Sequence, residues 1–185
     1  MTSDEAERDR RWAEDRRRQW EAFPEEKELD LALGLMVHQA GMFEFFLHQL
    51  IRNLMEGKYA ALTTAAMQPV AVLDAIKRIC DAGAVNEAGR EQIADFVPRG
   101  KAAFGERNKY VHGLRMHGDS LELWTNNRRS GGFDSMPLES ERLMSLARKF
   151  GSLSGEIFDW QRVYIEGKPP RRNARRANSD DLPTE

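Results

Sequence analysis

Apolar residues recur every three to four positions over three long stretches of the chain, and that spacing predicts helices. The first stretch, about 28 to 57, places Leu33, Met36, Ala40, Phe43, Leu47, Leu50, Ile51 and Leu54 on one face, with Gly57 as its stop. After a connector at 58 to 68, Pro69 fits the first turn of a shorter helix whose face is Leu73, Ile76, Ile79 and Cys80, closed by Gly83. Asn86 is placed to cap a third helix, where Glu87 and Glu91 suit the positive end of the helix dipole. Its face reads Ile93, Phe96, Gly100, Ala103, Arg107, Tyr110 or Val111, and Leu114, and Pro98 should kink or divide it. The last helix, about 139 to 165, carries Leu143, Leu146, Phe150, Leu153, Ile157, Trp160 and Tyr164 at the same spacing.

Between the last two long helices the period changes. Gly118-Asp119 should break the helix, Leu121 and Leu123 alternate with Glu122 as in a strand, and 126 to 132 is turn-rich. Phe133 to Met136 can then pair back as a hairpin. The expected fold is all-α: a four-to-five-helix bundle of up-down character with one short β-hairpin between its last two long helices.

Charge sets the expected limits of the domain. Residues 1 to 26 alternate acids and bases densely, with pairs such as Glu14 and Arg18 four apart, and carry only Trp12, Trp20 and Phe23 as large apolar groups. They read as a charged extension, either a solvated helix that docks one side or a frayed arm. Residues 27 to 166 form the helical domain. From 167 the chain has no apolar content to bury; Arg171, Arg172, Arg175 and Arg176 precede Asp180, Asp181 and Glu185, and a disordered tail is expected.

The net charge is −2 over 185 residues, so any attraction for nucleic acid must come from a local patch. A single cysteine, Cys80, excludes an internal disulfide and cysteine-cluster zinc sites, and on its apolar stripe it reads as a small buried hydrophobe. No apolar run is long enough to span a bilayer and the charged N-terminus is unlike a signal peptide, so no membrane is expected and the cytoplasm is the expected location.

The candidate chemistry lies late in the third helix, in Arg107-Asn108-Lys109-Tyr110-Val111-His112. Of the four histidines, His38 and His48 are ten residues apart, which is not the spacing of a helical metal pair, and His117 falls where the helix should be ending. His112 has Asn108 one turn before it on the same face. Arg107 is within reach through its long side chain, Lys109 and Arg115 add positive charge, and Gly113 would admit a close approach of backbone or phosphate. An imidazole can act as general base or acid, a guanidinium can hold a phosphate and stabilise its growing charge, and an amide can orient either. Such a set suffices, without metal or cofactor, for attack of an RNA 2′-hydroxyl on the adjacent phosphate.

Arg107-Asn108-x-x-x-His112, late in a long helix and followed by a hairpin and another long helix, resembles the HEPN superfamily over about residues 28 to 165. The resemblance implies a helical bundle that dimerises, with the motifs of two chains facing each other as a composite site. It implies a metal-independent endoribonuclease of the toxin–antitoxin, phage-defence or RNA-processing kind, with RNA as substrate and, in the toxin case, an antitoxin-like partner protein. Arg107 and His112 would then be catalytic, Asn108 would support them, and Lys109, Tyr110, Gly113 and Glu44 would line or brace the site.

Two other readings stand beside this one. The same family contains non-catalytic modules that bind RNA, a ligand or a partner without turnover. In the other, the pairing of Arg107 with His112 is accidental in a helical scaffold, with Arg107 a structural arginine paired with Glu44.

Overall fold

The computed structural model describes residues 3–55, 57, 59–117, 121–127 and 131–169. Most of them are helical: α1 (Ser3–Ala22), α2 (Pro24–Met55), α3 (Ala60–Thr64), α4 (Pro69–Ile79), α5 (Glu87–His112) and α6 (Ser140–Tyr164). A three-stranded antiparallel sheet, β1 (Leu114–His117), β2 (Leu121–Asn127) and β3 (Gly132–Pro137), lies between α5 and α6 in sequence, in the order β1-β2-β3. The expected helical character is present, with two corrections. The described residues form six helices, and the hairpin is a three-stranded sheet because the segment after Gly113 is a strand and not the end of a helix.

Contacts divide the chain into two compact units, Met1–Phe43 with Gly100–Ser152, and Glu44–Arg99 with Leu153–Glu185. In the first unit, Leu29, Ala32, Met36 and Ala40 of α2 are buried with Ala103 of α5, Leu123 of β2 and Leu143, Leu146 and Ala147 of α6. Three rings hold its centre: Phe43, Phe104 and Phe150, with centroids 5.3 to 5.9 Å apart. Phe104 is fully buried although it lies off the stripe read from the sequence.

Helix α1 belongs to this unit and is helical throughout its charged length. It ends at Ala22, and α2 begins at Pro24, whose missing N–H suits the first helical position. The two helices are joined through Asp30. The Trp20 indole N–H donates to its carboxylate at 3.0 Å, and Arg16 approaches it at 3.6 Å. Trp12 and Phe23 remain exposed.

In the second unit, Leu47, Leu50 and Ile51 are buried with Val72, Leu73, Ile76 and Cys80, and with Ile93, Phe96, Val97, Leu153, Ile157 and Trp160. Local signals behave here as expected. Pro69 opens α4, and the Asn86 side chain accepts from the Gly89 N–H at 3.0 Å as a cap of α5. A π-helical turn, Cys80–Ala84, kinks at Gly83, whose φ of 99° is a conformation that glycine adopts without penalty. Trp160 donates to the Gly89 carbonyl at 3.0 Å, and Tyr164 packs so closely on Gly89 that an added Cβ would lie 3.0 Å from its ring.

Pro98 does not divide α5, which runs unbroken from Glu87 to His112. Pro98 and Ala94, four residues earlier, are both exposed, so water can satisfy the carbonyl that proline leaves without a donor. The connector at 58 to 68 contains α3. Gly118-Asp119, residues 128 to 130 of the stretch expected to be turn-rich, and residues 170 to 185 of the expected tail lie outside the described residues. No described helix is long and apolar enough to cross a membrane.

Candidate functional site

Helix α5 carries the motif into its last turn, within the first unit. Arg107 is half-buried and Asn108 and His112 are exposed. A guanidinium N–H of Arg107 donates to Asn108 Oδ1 at 2.8 Å, while the Arg107 Nε is buried with no partner among the described residues. A buried donor without an acceptor costs about 1–3 kcal/mol. The bond to Asn108 orients a guanidinium whose hydrogen-bonding capacity is not used up by the described residues. His112 follows Asn108 by one turn on the same face.

The remaining expected residues have different surroundings. Lys109 is exposed beside Asn108. Tyr110, not Val111, is the position of the motif that enters the core. It is 5% exposed, its hydroxyl has no hydrogen-bond partner among the described residues, and burial, then the nearby Glu106 carboxylate, raises its pKa above the usual phenol value. Glu44 is half-buried in the second unit, whereas the hydrogen bond found for Arg107 goes to Asn108. Gly113 sits at the junction of α5 and β1. A Cβ there would lie 2.6 Å from Leu123 Cδ1 and 2.6 Å from the Lys109 carbonyl oxygen, so the close approach is made by the protein itself.

Arg115 is not available to a phosphate beside His112. It donates to Asp30 at 2.7 Å, on the face of β1 that also presents the buried Leu123 of β2. Burial pushes the Asp30 carboxyl up, but hydrogen bonds from Arg115 and Trp20 and the charges of Arg115 and Arg16 outweigh it, and the net pKa is lowered. Asp30 thus joins α1, α2 and β1 at one point. Sequence reasoning missed it because Asp30 precedes the apolar stripe of α2 and its partners lie 10 and 85 residues away. His117, expected at a helix end, belongs to β1.

The opposite face of the sheet was also missed. The register places Leu114, Trp124 and Ser135 side by side, then Met116, Glu122 and Pro137, then Asn126 with Phe133. Leu114, Met116, Trp124 and Phe133 are all exposed, in contrast to Leu123 on the inner face. Alternating positions in β2 and β3 were the available signal, but alternation alone does not say which face is covered.

Among the described residues, no group of three or more His, Cys, Asp or Glu side chains is placed to hold a metal ion. No family model matches this chain, nor does any curated protein or solved structure at a significant level.

Proposed function

We propose that this protein is a metal-independent endoribonuclease of the HEPN kind, cleaving RNA at a composite site to which each of two copies contributes an Arg107, Asn108 and His112. The observation that carries this reading is the Arg107–Asn108 hydrogen bond at 2.8 Å, one turn before an exposed His112. It supplies an oriented cation beside a base that solvent and substrate can reach.

In the proposed reaction His112 of one copy accepts the proton of an RNA 2′-hydroxyl, and that oxygen attacks the adjacent phosphorus. Arg107 holds the phosphate oxygens as negative charge builds on them. The bond from phosphorus to the 5′-oxygen breaks, and that oxygen takes a proton from the second copy's histidine. The products are a 2′,3′-cyclic phosphate and a free 5′-hydroxyl. Loss of a positioned acid–base group costs about 10²–10⁴-fold in rate.

The test is incubation of single-stranded RNA with purified protein of verified dimeric mass in EDTA. Cleavage leaving 2′,3′-cyclic phosphate ends, lost in a folded His112→Ala variant, is expected. RNA that stays intact with the wild-type dimer overturns the catalytic reading. One observation favours a second reading, in which the protein binds without turnover: Leu114, Met116, Trp124 and Phe133 leave an apolar sheet face open to a partner.

A further inference from the structure

We infer that the outer face of the sheet is a stacking platform for the bases of single-stranded RNA, with Trp124 and Phe133 as its contacting rings. The inference rests on the RNA reading proposed above and names how the substrate is held beyond the motif. Trp124 is 38% exposed and Phe133 70% exposed, whereas Leu123, next to Trp124 in β2 but on the other face, is 2% exposed. The two rings lie 6.2 Å apart at 41°. The Trp124 indole N–H donates to Glu122 at 2.8 Å, which fixes the ring before any ligand arrives.

The exposed rings of the face suit the bases of a nucleic acid. Every base has a π-face, so stacking on an exposed ring tolerates any sequence. Asn126 and Ser135 flank the rings with groups able to hydrogen-bond base edges. Glu122 is the only acid among the described positions of this face, and its carboxylate accepts from the indole. The adjoining motif carries positive charge for the phosphates, with Lys109 in the last turn of α5 and Arg107 just before it. Leu114 opens the face two residues after His112, a Cα separation of at most about 7–8 Å. On this inference a strand bound at the motif continues onto the rings.

The full-length chain carrying His112→Ala, which removes turnover, is the starting protein. Its binding to a labelled oligouridylate and to an abasic ribose-phosphate oligomer of equal length is measured by fluorescence anisotropy. The expected result is that Trp124→Ala with Phe133→Ala weakens oligouridylate binding by about tenfold per ring and leaves the abasic oligomer unchanged. Trp124→Phe with Phe133→Tyr, which keeps two rings, should retain most of the affinity.

Equal loss for both oligomers, no loss for either, or no binding by the starting protein overturns the inference. So does a dimer-to-monomer change in sedimentation equilibrium when the rings are removed, because the face would then join two copies. Failure of the two readings is separable. Ring-dependent binding with no cleavage by wild type sinks the ribonuclease alone, and undiminished cleavage by the ring-less chain with His112 restored sinks the platform alone.

Discussion

Replacing Asp30 by asparagine should release α1 and β1 together. The carboxylate is 15% exposed and accepts hydrogen bonds from Arg115 at 2.7 Å and Trp20 at 3.0 Å, with Arg16 at 3.6 Å. Hydrogen bonds to a charged group contribute about 1.5–3 kcal/mol each when well buried. Arg115 is 23% and Arg16 31% exposed, so solvent screening reduces their shares. Asparagine keeps one acceptor for Trp20 but leaves two guanidiniums without their anion. A net loss of about 2 kcal/mol at pH 7 is the expected size for such a partly exposed site.

The pH dependence carries the sign. The folded-state pKa of Asp30 is lowered, so its stabilisation is fully present above the unfolded-state value, about 3.9, and is lost as pH falls through the lower folded value. Wild type and Asp30→Asn should thus differ by a constant amount from pH 7 to about pH 5 and converge below about pH 4. Urea titrations at each pH measure this directly. Trypsin provides a local readout, because undocking should expose Arg16, Arg17 and Arg18 of α1 to faster cleavage. An unchanged urea midpoint and unchanged trypsin rate at pH 7 would refute the argument that Asp30 joins these elements.

Gly113→Ala should destabilise the first unit by about 1–3 kcal/mol, read as a lower thermal midpoint. Leu123 can shift, but the Lys109 carbonyl, 2.6 Å from the new Cβ, is backbone. A midpoint equal to wild type would mean the junction has room that the structure does not give it. Cys80 is fully buried, and burial, then the Asp81 charge, pushes its thiol up to about 11. It should resist a thiol reagent at pH 8 in the native protein and react at once after denaturation; native labelling as fast as free cysteine would contradict its placement.

The sequence by itself determined which residues form the long helices and which side of each is apolar. Met36, Phe43, Leu47, Ile76, Ile93, Phe150 and Trp160 are buried where periodicity placed them. Pro69, Gly83 and Asn86 mark helix ends through their own backbone chemistry. These signals are local: each depends on residues within a turn or two, which share a face whatever lies opposite. The Arg107, Asn108 and His112 grouping was legible for the same reason, as a matter of spacing along one helix.

Tertiary structure decided the rest. Leu114-Arg-Met-His continues a helical stripe as plausibly as it starts a strand, and only pairing with β2 makes it β1. Arg115 looks like one more cation beside His112 until Asp30, 85 positions away, takes its guanidinium. Phe104 falls off the stripe and is buried because Phe43 and Phe150 meet it from two other helices. Periodicity records that a face is apolar, but not what covers it. Coverage depends on contacts between distant segments, and those contacts leave Trp124 and Phe133 in solvent while burying Leu123 beside them.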